Sequence, residues 1–194
     1  YFSRSNITAM DKQGYSFVIM AKGMNDLVSG IVSSVKGTFE NKWAKHIDDY
    51  DVYGTTVKRK LYETDKKDRY FHIYHSILKE SSERTLLVKH LRQIRSYLMR
   101  HTNEVIEFGP GISRYFILHY NDRTFQFPED RTDVIERENE LSGYFCIITS
   151  EKMTAKDAIK LYKSRDTSEK LFRGDKSYLG DKSLRIYGDS SADS

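Results

Sequence analysis

The chain has one cysteine, two prolines and one tryptophan among 194 residues. A single thiol, Cys146, excludes an internal disulfide and any multi-cysteine zinc site, and it suits a reducing compartment. So little proline argues against collagen-like and proline-rich disordered chains. Long hydrophobic runs are missing too: Phe17 to Ala21 and Tyr144 to Ile148 are strand-sized, far short of the roughly 20 apolar residues that span a bilayer as a helix. The chain opens on Tyr1 without a basic-then-apolar leader and closes on Ser-Ser-Ala-Asp-Ser. It is expected to be a piece of a longer protein.

What is present is a globular composition, 38% hydrophobic and 31% charged. The length suits one domain, or one core carrying a large insertion. Thirty-two Lys and Arg against 28 Asp and Glu leave a net charge of +4, which permits a nucleic-acid partner without demanding one.

Periodicity divides the chain into elements. Ser3 to Gln13 reads as a helix closed by Gly14, and Tyr15 to Ala21 as a buried strand. Leu27, Val28, Ile31, Val32 and Val35 recur at three and four, predicting a second helix that ends near Gly37. Val52, Tyr53, Val57, Leu61 and Tyr62, the charged turn Asp65 to Asp68, then Tyr70, Phe71, Ile73, Tyr74 and Ile77 predict a long hairpin. Ser82 to His101 carries Leu86, Leu87, Leu91, Ile94 and Leu98 as the stripe of an amphipathic helix. A second hairpin is expected over 113–120 and 124–127, turning at Asn121-Asp122. Tyr144 to Thr149 reads as a buried strand, and a helix is predicted from Thr154 to about Leu179, anchored by Leu161, Phe172 and Leu179. The fold class is therefore α/β: a core from residues 1–24 and 143–194, interrupted over 25–142 by a mostly β insertion subdomain with one long helix.

The last helix carries Tyr162, Arg165, Glu169 and Lys176, spaced Y-x2-R-x3-E-x6-K. At about 100° per residue these four fall within an arc of roughly 60°. A carboxylate among cationic and hydroxyl groups suits phosphodiester chemistry, because it helps hold a divalent metal while Arg and Lys grip phosphates. Spacing alone favours a blander reading, an i,i+4 ion pair of Arg165 with Glu169 on a wet helix, worth a few tenths of a kcal/mol.

The stretch from Gly143 to Ser150, then Met153-Thr-Ala, then Tyr162 through Lys176 resembles the strand and signature helix of bacterial insertion-sequence transposases of the DDE type that carry the YREK motif. The opening Tyr1-Phe-Ser, the helix after it and Phe17 to Lys22 resemble the segment following that family's second catalytic aspartate. The resemblance implies a partial RNase H-like (integrase-like) core. It makes Glu169 the third catalytic carboxylate and a ligand of Mg²⁺ (or Mn²⁺), with Tyr162 and Arg165 contacting phosphates at the cut end and Lys176 the DNA backbone. The implied partners are transposon-end and target double-stranded DNA, engaged as a homodimer with no membrane. The implied location is the bacterial cytoplasm, at the nucleoid. Both aspartates are expected upstream of Tyr1, so this chain alone is expected to be inactive. A non-catalytic DNA-binding or dimerisation remnant and another RNase H-like nuclease are the alternatives.

Other features stand apart from that motif. Arg84, Lys89, Arg92, Arg95 and Arg100, with Lys58, Arg59 and Lys60, form either a phosphate-tracking surface or a solvated basic face. The acids from Glu129 to Glu140 read as a solvated helix or linker. Trp43 is assigned to core or surface packing rather than base stacking. His72 and His75, three apart in a strand, point to opposite faces and so share no metal. Gly109-Pro110-Gly111 is read as a turn.

Overall fold

The computed structural model describes residues 4–21 and 26–165. Among them the fold is mixed α/β, built on a five-stranded sheet and a separate hairpin. Helix α1 (Arg4–Lys12) leads into β1 (Val18–Met20), and α2 (Asp26–Val35) follows. Strands β2 (His46–Ile47), β3 (Val52–Lys60) and β4 (Asp68–His75) come next, then the long helix α3 (Ile77–Arg100) and the short helix α4 (Pro110–Ser113). The hairpin β5 (Phe116–Asn121) and β6 (Thr124–Asp130), helix α5 (Thr132–Glu140) and strand β7 (Tyr144–Thr149) precede a last helix, α6, at 155–165.

The sheet runs β1-β7-β4-β3-β2, with every neighbouring pair antiparallel. Strand β7 lies inside the sheet, between β1 and β4, and its side chains are mostly apolar on both faces, as a strand covered on both sides requires. Cys146 and Ile148 join Phe71 and Ile73 of β4 under α1 and α2, where Ile7, Val28, Ile31, Val32 and Phe39 complete a buried cluster. Ile147 and Tyr74 face the other way, against Ala155 and Ile159 of α6. Burial pushes the Cys146 thiol up to about 12, so it behaves as a small core side chain.

The expected boundaries at 24/25 and 142/143 do not interrupt this sheet. β3 and β4, from inside the segment read as an insertion, pair with β7, so Ile73 lies opposite Cys146. What stands apart is α3 with the β5–β6 hairpin, which share a core of Leu87, Leu98, Tyr115, Phe116 and Phe125. The hairpin turns at Asp122 and Arg123, both at positive φ (46° and 69°), the backbone of a two-residue type I′ turn.

Three local readings change. The long helix starts at Ile77, not Ser82, because the Ser76 hydroxyl accepts from the Lys79 amide and caps it. Ile77, expected in the preceding strand, is therefore the first helical residue and more than half exposed. Leu86 is exposed, leaving Leu87, Leu91, Ile94 and Leu98 as the stripe that packs. Gly109-Pro110 is not only a turn: Gly109 caps α4, with Pro110 in its first turn.

The α3–β7 junction depends on one glycine. Gly143 has φ +84°, and a Cβ there would sit 2.6 Å from the Glu80 Cβ and 2.9 Å from the Ser76 carbonyl oxygen. Its amide donates to the Glu83 carboxylate at 2.8 Å, and Glu83 also pairs with Lys79. The first turns of α3 are thereby tied to the start of β7.

Candidate nucleic-acid interface

Helix α6 brings Tyr162 and Arg165 to the sheet, and its start is specified locally. The Asp157 amide donates to the Thr154 hydroxyl at 3.1 Å, and that hydroxyl donates to the Asp157 carboxylate at 2.6 Å. Orphan donors of the first turn are satisfied in this way. The Tyr74 hydroxyl donates to the Ala155 carbonyl oxygen at 2.7 Å. Beneath that turn lies Gly54, where a Cβ would come within 3.1 Å of the Ala155 Cβ and 2.9 Å of the Ile47 side chain. A larger residue would lift the helix off the sheet.

From there Ala155, Ala158 and Ile159 are buried, and Tyr162, one turn on, packs half-buried in the same cluster beside Val18 and Met20 of β1. Arg165 is exposed, and its guanidinium donates to the Val18 carbonyl oxygen at 3.5 Å. Positions 155, 159, 162 and 165 follow the four-three-three spacing of one helical stripe. The face that anchors α6 is thus the one that carries Tyr162 and Arg165 to β1, the outer strand of the sheet. The sequence reading put the anchor on Leu161, which is instead about half exposed. Of the residues assigned to chemistry, the structure brings Tyr162 and Arg165 together at this edge. Glu169 and Lys176, with Phe172 and Leu179, lie outside the described residues.

No group of three or more His, Cys, Asp or Glu side chains among the described residues converges as a metal site requires. Among the described residues no helix is long and apolar enough to cross a membrane.

The long helix presents the second basic surface. Arg84 pairs with Glu80 at 2.8 Å and Arg95 with Asp130. Lys89, Arg92 and Arg100 are exposed and make no ion pair among the described residues. On the first hairpin Lys58 is paired with Asp68 at 3.3 Å. The acidic segment closes β6 and forms α5, where Glu138 accepts from the Tyr115 hydroxyl and from Arg114.

The histidines divide as the strand period requires. His72 is fully buried, 2.9 Å from both the Thr56 and the Thr149 hydroxyls. Since Thr149 donates its proton to the Glu151 carbonyl oxygen at 2.7 Å, it accepts from His72 Nε2, and Nδ1 accepts from Thr56. The ring is neutral, with its pKa lowered to about 4 by burial. His75, on the other face, meets Glu80 at 2.9 Å.

Two arrangements gave no signal in the sequence. Arg69 is buried against Asp11 and over the Phe17 ring. Trp43 is 82% exposed and stacks on His46, with ring centroids 5.8 Å apart. The hydrogen bonds of His46 to Asp48 and Asp51 raise its pKa. Trp43 packs at the surface, not in a core.

No protein-family model, curated protein or solved structure matches the chain.

Proposed function

We propose that this chain is part of a metal-dependent DNA transposase that cleaves transposon ends and joins them to target DNA by phosphoryl transfer. The observation that carries the reading is the spacing of Tyr162, Arg165, Glu169 and Lys176, with Tyr162 and Arg165 on a helix whose anchoring stripe leads them to the edge of a sheet. A side chain held on a packed helix is more precisely positioned than one on a loop, as phosphoryl transfer demands.

In this reading the Arg165 guanidinium, exposed but steadied by the Val18 carbonyl, forms charge-assisted hydrogen bonds to a phosphate at the cut end. Tyr162, with its ring in the core cluster, orients its hydroxyl toward the same phosphate. Glu169 would hold Mg²⁺, a hard cation suited to carboxylate oxygens, and Lys176 the neighbouring backbone. The metal, when bound, supplies activation of water and stabilisation of the leaving oxygen. A two-metal site of this kind needs further carboxylates beside Glu169.

The test is end cleavage and joining by the full-length protein on duplexes carrying the inverted repeats that flank its gene. With Mg²⁺ the expected result is a 3′-hydroxyl end that joins to plasmid. Glu169→Ala should abolish both steps, and Arg165→Ala should slow them by about a hundredfold. Full activity in Glu169→Ala would sink the reading. Cleavage without joining would support a nuclease instead.

A further inference from the structure

The solvent face of α3 has a composition that the packing of the helix does not explain. Leu87, Leu91, Ile94 and Leu98 turn one stripe to the β5–β6 hairpin. On the opposite side Thr85, Lys89, Arg92, Ser96 and Arg100 fall within an arc of about 80° at 100° per residue. They line one continuous depression with Gln93, and all six are exposed. From Arg84 to Arg100 the sequence has five Lys or Arg and no Asp or Glu. The two acids of α3, Glu80 and Glu83, lie in its first turns and are engaged by His75, Arg84, Lys79 and the Gly143 amide. Among the described residues no ion pair neutralises Lys89, Arg92 or Arg100.

We propose that this face of α3 is a docking surface for the sugar–phosphate backbone of double-stranded DNA, separate from Tyr162 and Arg165. Lys89, Arg92 and Arg100 are its cationic contacts, and Gln93 and Ser96 its neutral hydrogen-bonding ones. These are the residue types that take phosphate oxygens without reading sequence. Residues 84–100 extend about 24 Å, and a duplex carries one phosphate per roughly 1.7 Å of axis, so the three cations can meet separate phosphates. Single-strand binders add aromatic platforms on which bases stack. This face has none: Tyr97 lies on the flank, edge-on to His101 and Phe108. Membrane-surface helices bury a broad apolar face, whereas the apolar stripe of α3 is already occupied by the hairpin. The surface stands independently of the phosphoryl-transfer reading.

The experiment is fluorescence anisotropy of the chain with a labelled 30-base-pair duplex of arbitrary sequence, titrated at several NaCl concentrations. Each phosphate neutralised contributes about 0.9 to the slope of log K against log salt. The triple variant Lys89→Ala, Arg92→Ala, Arg100→Ala should therefore lower the slope by about 2.7 and weaken binding at low salt by about tenfold or more. The charge-preserving variant Lys89→Arg, Arg92→Lys, Arg100→Lys should keep both, and circular dichroism should show all variants equally helical. Arg165→Ala should leave this contribution in place. No binding by the unaltered chain, or a triple variant with an unchanged slope, overturns the proposal. So does a loss confined to single-stranded DNA or to phosphatidylserine vesicles. Failure of end cleavage with the α3 contribution intact would count against the transposase reading alone.

Discussion

The hydroxyl of Tyr74, in the centre of the sheet, donates to the carbonyl oxygen of Ala155 at 2.7 Å. The two residues are 81 positions apart, and both are buried. This bond fixes the first turn of α6 over β4, and the direction of the helix from that point carries Tyr162 and Arg165 to β1. Burial raises the Tyr74 pKa, so the hydroxyl stays protonated and able to donate at any pH the fold survives.

Tyr74→Phe keeps the ring that stacks on Phe145 at 4.9 Å and removes only the donor. Losing one hydrogen bond at a buried carbonyl costs about 1 kcal/mol, to be read as a lower urea midpoint with an unchanged m-value. Hydrogen exchange should quicken in α6 before it does so in α3. An undiminished midpoint would show that the bond does not anchor the helix.

Gly143→Ala is expected to be far more damaging than a surface glycine substitution such as Gly30→Ala, where a Cβ meets nothing within 4 Å. The added Cβ at Gly143 has both a left-handed backbone and close contacts against it, together worth about 2–4 kcal/mol. Thermal unfolding of the two variants side by side checks this. Equal melting temperatures would contradict the geometry.

Stability should fall on mild acidification, and His72 sets the window. Its pKa is lowered from 6.5 to about 4 in the folded chain, so between those values the unfolded chain binds the extra proton. The contribution is therefore full above about pH 6.5 and is lost progressively as pH falls toward 4, on the order of 3 kcal/mol in all. Chemical denaturation from pH 7.5 to 4.5 measures the loss, and NMR of the ring should show neutral imidazole protonated at Nε2 down to pH 5. A His72 that titrates near 6.5 would remove the effect.

Local elements were legible where one pattern had one meaning. The apolar run Tyr144 to Thr149 became a strand with those bounds, because a short continuous run of β-branched and aromatic residues suits a strand covered on both faces. Periods of three and four marked α2 and the packed stripe of α3. The start of α3 was misread because Ile77 continues the apolar pattern of β4, while the competing signal, the Ser76 cap, depends on a single hydroxyl.

Of the site, the sequence by itself determined the spacing of Tyr162, Arg165, Glu169 and Lys176. Only the tertiary structure decided that Tyr162 and Arg165 continue the stripe buried on the sheet, that Leu161 lies outside it, and that β4 lies beside β7 across some 70 residues of chain. The reason is that periodicity reports which side chains share a face. Which face gains a partner is settled by long-range contacts, here Tyr74 with Ala155 and the space left by Gly54, and neither has any local signature.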